Sequence, residues 1–403
     1  MNEHPPRRTA RRIRAVRHAM TATAAAGLAL TALVPTSASA SASASAAPAA
    51  APRPDVVQQR LDALVKADGM PAALATVKGR DGRSRTYTAG VGDLATGAGV
   101  PVDGQIRAGS NTKAFTAVVV LQLVAEGRVG LDASVDTYLP GLLRGDGVDG
   151  RNITVRQLLQ HTSGLPDYML APALLDFTTI QYRYFEPREL LDGALAQRAV
   201  FAPGTGWGYS NTNYLVAGLL IQKVTGRPYA EEVTRRVIDR IGLRHTYLPA
   251  TGETALREPH PHGYLNTGDT GEPASGARLV DYTEMDSSMA WAAGAVVSTN
   301  SDLNAFYGAL LGGRLLPAAQ LAQMRSTVPA ELLGPGVRYG LGIQSRPLSC
   351  GGLVWGHGGT APGHRSRGGV TEDGRAANIT VTTVPEPPAA EHVTDAVDAA
   401  LCR

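Results

Sequence analysis

Lysine is nearly missing from this chain. Of its 38 basic residues only Lys66, Lys78, Lys113 and Lys223 are lysines, and the other 34 are arginines. Arginine keeps its proton inside a protein, whereas lysine can be tuned toward neutrality. Cysteine is scarcer still, with Cys350 and Cys402 alone. Two cysteines exclude a cysteine-rich metal module, and an even pair in an oxidising compartment most simply forms one bridge. Closing that loop would add roughly 4 kcal/mol on the chain-entropy view and pin the C-terminal helix against a strand. His260 and His262, in Pro-His-Pro-His, lack a third ligand. No metal and no cofactor are expected.

Long apolar runs are absent after residue 40, so no membrane anchor is expected. Residues 1–40 read as an export signal: Arg7, Arg8, Arg11, Arg12, Arg14 and Arg17 precede a small-residue apolar core at 21–34, and Ala38-Ser39-Ala40 offers a cleavage pattern. Arg11-Arg12 raises the twin-arginine route, but its neighbours fit the general secretory route better. Residues 41–54, rich in Ser, Ala and Pro, are expected to be a disordered spacer. Without residues 1–40 the chain holds 32 basic against 34 acidic groups. That balance gives no reason for a nucleic acid or an anionic membrane as partner. A secreted monomer is expected.

Residues 55–403 read as one catalytic domain. Val57, Leu61, Leu64 and Val65 mark an amphipathic helix, and strand-like runs follow at 72–77 and 85–91. Residues 115–124 are apolar all round, which predicts a helix buried inside the fold. From about 125 to 295 the pattern is helical and loop-rich, with a strong helix at 214–224 closed by Gly226. Strands return at 337–344, 352–355, 364–370 and 378–384, with a hairpin turn at 371–375 before a closing helix at 391–401. The fold class is α/β: a sheet subdomain (about 55–110 and 296–403) carrying a helical subdomain (about 111–295).

Three short motifs carry chemistry. Ser110-Asn-Thr-Lys113 heads the apolar helix, where positions i and i+3 share a face. A serine hydroxyl becomes a nucleophile when a neighbouring base takes its proton, and a lysine held out of water is such a base. Alone, the pattern equally fits a helix cap and a solvated first-turn lysine. Tyr209-Ser210-Asn211 lies in a Gly-rich loop ahead of a helix, and His357-Gly358-Gly359-Thr360 follows a strand. His161 reads as a structural turn residue.

Taken together and in this order, the motifs resemble those of the serine β-lactamase and penicillin-binding-protein superfamily. The likeness is greatest to its class C-like branch and to the secreted D-alanyl-D-alanine carboxypeptidases. Leu131-Asp-Ala-Ser-Val-Asp-Thr-Tyr-Leu-Pro140, His161-Thr-Ser-Gly-Leu165, Ala293-Gly-Ala-Val and Tyr339-Gly-Leu-Gly342 add to it. The resemblance implies a five-stranded antiparallel sheet flanked by helices, with an all-helical subdomain. It also implies a disulfide between Cys350 and Cys402. Ser110 would form an acyl-enzyme with a peptide or small-molecule acyl substrate, or with a β-lactam antibiotic. Lys113 and a protonated His357 would both favour the ionised form of Tyr209, making it a usable base. Asn211 would donate to the substrate amide, and the Ser110 and Thr360 N–H groups would form an oxyanion hole. Gly359 would leave room for substrate along the strand.

Two positions depart from the carboxypeptidase pattern. Gln344 stands where an arginine would hold the substrate's terminal carboxylate, and Gly358 stands for a threonine. Arg365 and Arg367 would either restore the charge or be solvated surface residues. The leading expectation is a D-alanyl-D-alanine carboxypeptidase acting on peptidoglycan stem peptides. The alternatives are an esterase, a D-amino-acid amidase or a weak β-lactamase, and a non-hydrolytic penicillin- or muropeptide-binding protein.

Overall fold

One antiparallel sheet has faces of opposite character, and the helices sort accordingly. The computed structural model describes residues 55–267 and 278–403. The expected export signal (1–40) and spacer (41–54) lie outside the described residues. Ten strands form the sheet: β1 (Ala72–Lys78), β2 (Ser84–Asp93), β3 (Ala98–Gly99), β4 (Val328–Pro329), β5 (Arg338–Tyr339), β6 (Gln344–Pro347), β7 (Leu353–Gly356), β8 (Gly359–Ala361), β9 (His364–Thr371) and β10 (Ala376–Val381). Their order is β4-β5-β6-β7-β9-β10-β1-β2-β3, with β8 also paired to β9. The five long strands of the expected sheet are β2, β1, β10, β9 and the pair β7/β8. That last strand is interrupted at residues 357–358, and short strands extend both edges.

The principal helices are α1 (Val56–Lys66), α2 (Thr112–Ala125), α3 (Thr212–Thr225), α4 (Asn300–Leu311) and α5 (Ala389–Leu401). Asp55 caps α1 by accepting from the Val57 N–H at 2.9 Å, and the predicted stripe of Val57, Leu61 and Leu64 is buried. This stripe and α5 cover the apolar face of the sheet, made by Ala73, Ala75 and Val77 of β1 with Ala377, Ile379 and Val381 of β10. The opposite face is polar and meets α4. Asn300 Nδ2 donates to the Leu74 carbonyl (3.2 Å) and Asn304 Nδ2 to the Thr76 carbonyl (2.8 Å). Asn378 and Thr380 donate back to Asn304 and Asn300, both at 2.8 Å. These four side chains thus pair across the layer, while Asn378 Oδ1 is buried without a hydrogen-bond partner among the described residues.

Helix α2 is buried from Thr112 through Leu123, as its unbroken apolar pattern predicts, and packs against α3. Gly226 ends α3 at φ +71°. Two expectations change. The single strand expected at 337–344 is a hairpin of β5 and β6, with Gly340 N–H donating to the Ile343 carbonyl at 2.8 Å. The reason is Gly342: at φ +79° it lies against α2, where a Cβ would come 2.5 Å from Ala117 Cβ. The Cys350–Cys402 disulfide, with Cα atoms 5.6 Å apart, ties the end of α5 to the turn between β6 and β7 and not to a strand. No helix among the described residues is long and apolar enough to cross a membrane.

Candidate active site

The turn Gly109–Asn111 delivers Ser110 to the head of α2. Gly109 takes φ +52°, and a Cβ there would fall 2.5 Å from the Thr360 carbonyl oxygen. Only glycine lets this turn press against β8. The Lys113 ammonium then reaches Ser110, as the i, i+3 spacing requires. Its Nζ donates to Ser110 Oγ at 3.0 Å, to Asn211 Oδ1 at 2.7 Å and to the Ala293 carbonyl at 2.7 Å. Lys113 is fully buried. Burial pulls its pKa down to about 7, against the opposing pull of the nearby Asp167 carboxylate. Asn211 Nδ2 donates to Asp167 Oδ2 at 2.9 Å, so this amide bridges Lys113 and Asp167. Only its second N–H remains for the substrate contact expected from sequence.

Tyr209 and His357 are brought to the same cleft, but with charges opposite to expectation. Tyr209 lines the cleft beside Ser110, and its ring centre lies 5.0 Å from Lys113 Nζ. Even so, burial lifts its pKa above the ordinary phenol value, and Asp167 adds to the rise. His357 is buried, and burial together with the Lys113 charge lowers its pKa to about 3. It is therefore neutral and supplies no second cation. The expected tyrosinate is not favoured by this environment, and Lys113 is the group poised near neutrality.

His161, read from sequence as a turn residue, does more. It ends the helix Val155–Gln160 in the left-handed region (φ +62°), with its ring fully buried. Its Nδ1 accepts from the Ser210 N–H at 3.2 Å, which leaves Nε2–H to donate to the Tyr339 hydroxyl at 3.2 Å. Tyr339 in turn donates to His357 Nε2 at 3.0 Å, and His357 Nδ1–H donates to the Gly358 carbonyl at 2.5 Å. One chain of neutral groups, with every tautomer fixed, joins the Tyr209 loop to the break between β7 and β8.

At Gly359 a Cβ would meet the Ala108 carbonyl at 1.9 Å and Asn111 Nδ2 at 2.7 Å, so the bare glycine admits the nucleophile turn. Thr360 is exposed beside Ser110. The cleft in front of them has a volume of about 320 Å³ and is bounded by Ser110, Tyr209, Asn211, His357 and Thr360, with Arg107, Arg346 and Arg367 in its walls. Neither Arg365 nor Arg367 is a solvated surface residue: both are half-buried. His260 and His262 lie in a separate pocket, where His262 Nδ1 pairs with Asp281 at 2.6 Å. Among the described residues no group of three acidic, His or Cys side chains could hold a metal.

Sequence reasoning missed Asp167, Arg107, Arg346 and the bridging role of Tyr339. Asp167 follows the quoted His161-Thr-Ser-Gly-Leu165 by two residues, so that segment held a signal for it. Arg107 lies three residues before Ser110, but nothing local says that its guanidinium donates to the Thr254 and Thr283 carbonyls and to Ser287 Oγ.

Comparison with known proteins agrees with this geometry. The family model described as Beta-lactamase matches residues 57–402. Penicillin-binding protein 4 of Amycolatopsis lactamdurans is 30% identical over 281 residues, spanning 67% of this chain and 69% of its own length. A D-stereospecific amidohydrolase from Streptomyces sp. superposes with a TM-score of 0.77 at 41% identity, over 85% of this chain and 97% of its own. The D-amino acid amidase of Ochrobactrum anthropi superposes at 0.74 with 28% identity, over 86% of this chain and 96% of its own. The chain belongs to the beta-lactamase family of serine hydrolases.

Proposed function

We propose that this chain is an exported D-stereospecific amidohydrolase that cleaves amide bonds through an acyl-Ser110 intermediate. The observation that carries the proposal is Lys113: fully buried, 3.0 Å from Ser110 Oγ, and with a pKa near 7. The Asn211 and Ala293 oxygens only accept, and each lies 2.7 Å from Nζ. A neutral amine keeps its two N–H groups on these and turns its lone pair toward the Ser110 hydroxyl. Ser110 then loses its proton to Lys113 as Oγ bonds to the substrate carbonyl carbon. The carbonyl oxygen takes the negative charge between the Ser110 and Thr360 N–H groups. Collapse breaks the C–N bond, and the leaving nitrogen takes a proton from the Tyr209 hydroxyl, which Lys113 replenishes. Water then attacks the ester by the reverse path. D-stereospecificity is supported by the likeness to the Streptomyces amidohydrolase, and export by the N-terminal pattern and the disulfide.

A narrower reading, D-alanyl-D-alanine carboxypeptidase, is favoured by the arginines in the cleft wall, which suit a substrate bearing a carboxylate. The test of the general proposal has two parts. Intact-mass analysis after exposure to benzylpenicillin is expected to show one adduct that Ser110→Ala lacks. D-amino acid amides are expected to turn over and their L-enantiomers not. Absence of any adduct together with no hydrolysis of D-amides or esters would end the proposal.

A further inference from the structure

The short helix Trp291–Gly294 begins on a strained residue. Trp291 takes φ +31°, and among the described residues Asp103 and His161 are the only other non-glycines at positive φ. For a side chain as bulky as an indole this conformation is unfavourable and persists only where surrounding contacts enforce it. Those contacts are made by the ring. The benzo edge of the indole meets α3 at Gly218, where a Cβ would come 2.7 Å from Trp291 Cζ3 and 3.0 Å from Cη2. The same Cβ would fall 2.5 Å from Ala292 Cβ, so Gly218 leaves a notch for both residues. Tyr229 closes the other side, with ring centres 5.1 Å apart.

From this anchor the turn grips the start of α2 at three points. The Ala293 carbonyl accepts from Lys113 Nζ at 2.7 Å and the Ala292 carbonyl from Thr116 Oγ1 at 2.8 Å. The Val296 N–H donates to Thr112 Oγ1 at 3.0 Å. The Tyr229 hydroxyl lies 2.8 Å from Thr116 Oγ1, so the residue that holds the indole also holds α2. The ring itself stays out of the catalytic cleft. Ala290, Ala293 and Gly294 line that cleft, whereas Trp291 lines another cavity of about 430 Å³ together with Tyr184, Leu219 and Leu248. The strained backbone therefore does not serve a contact between indole and substrate. Its consequence inside the cleft is the placement of the Ala293 carbonyl, two residues on.

We propose that Trp291 is a positioning residue: its indole, wedged between Gly218 and Tyr229, holds the backbone turn that aims the Ala293 carbonyl at Lys113. This rests on the acyl-Ser110 reading above and deepens it. In the neutral amine one N–H must stay on Asn211 Oδ1 and the other on the Ala293 carbonyl for the lone pair to face Ser110. A carbonyl displaced from Nζ lets the amine rotate, and its lone pair then faces the serine for less of the time. The same displacement removes an acceptor that favours the ammonium form, so the free amine forms at lower pH. Loss of the wedge thus slows the reaction at high pH while moving its onset downward.

The test follows Ser110 acylation by benzylpenicillin across pH in Trp291→Gly, Trp291→Leu and Trp291→Phe on the full chain. Glycine adopts φ +31° freely, so Trp291→Gly removes the strain and the wedge together. Its limiting acylation rate should fall about tenfold or more, the scale of one hydrogen bond to a charged group, with the apparent Kd for the penicillin within about twofold. Its acid limb should begin at lower pH than in the unaltered enzyme. Trp291→Leu keeps apolar volume without a ring; it should show the same two changes in smaller measure, and it decides the matter should Trp291→Gly not fold. Trp291→Phe, which keeps a ring in the wedge, should acylate faster than either. The groups that face Lys113, namely Asp167, His161, Tyr209, Tyr214 and His357, are unaltered in all three. A purely structural tryptophan would instead lower Tm and leave the limb where it is. Native acylation in folded Trp291→Gly or Trp291→Leu, or a slowed variant with an unmoved limb, would overturn the positioning role. Lack of any Ser110 adduct in the unaltered enzyme would sink the reading on which that role rests.

Discussion

The two ends of the cleft hold positive charge in different ways. Lys113 is surrounded by three oxygen acceptors, with Asp167 one amide away through Asn211. Arg346 and Arg367 each donate to a single carbonyl. Burial acts on all three, but only lysine responds within the physiological range, falling to about 7. The arginines stay charged. One end can move a proton and the other can only attract an anion. In a chain that spends 34 of its 38 basic residues on arginine, the lysine stands where deprotonation is useful.

The largest expected effect that sharpens this contrast comes from Tyr209. With its pKa raised by burial, the phenol acts as a proton donor to the leaving nitrogen. Tyr209→Phe should lower kcat/KM for an amide by about 10² to 10⁴. The acid limb of the pH profile should stay in place, because that limb belongs to Lys113. Stopped-flow acylation across pH checks both points, and a limb that vanishes with the hydroxyl would make Tyr209 the base.

A smaller effect is expected at Asp167. Its carboxylate raises the Lys113 pKa, so Asp167→Asn removes an upward pull and lets burial lower that pKa further. The free amine is the active form, so kcat/KM in the unaltered enzyme should climb as pH rises through about 7. In the variant the climb should begin at lower pH. A limb displaced upward would contradict the assignment.

The smallest effect on catalysis is expected from the disulfide, which lies at the far end of α5. Replacing Cys350 and Cys402 by Ser should cost about 4 kcal/mol of stability on the chain-entropy view. Denaturant unfolding measures this, while the Ser110 acylation rate should be unchanged.

Much of this was legible in the sequence because it is local. The i, i+3 spacing of Ser110 and Lys113, the unbroken apolar run of α2 and the Gly226 stop for α3 each depend on neighbours along the chain. What escaped depends on contacts between distant segments. The break of the 337–344 strand follows from α2 pressing on Gly342. The neutrality of His357 follows from burial, which no motif encodes. Gly358 reads as a lost threonine, yet a Cβ there would fall 2.4 Å from Arg367 Nη1. Tyr339 gained its role only when His161 and His357 came within 3.2 Å and 3.0 Å of its hydroxyl.

The central claim is that Lys113 works by giving up and regaining a proton, and Lys113→Arg tests it most directly. Arginine keeps the positive charge at this end of the cleft but cannot become the base. With the fold verified by circular dichroism, the rate of Ser110 acylation by benzylpenicillin should fall by at least about a thousandfold. Acylation within a few-fold of the unaltered enzyme would show that charge alone suffices and would contradict the account.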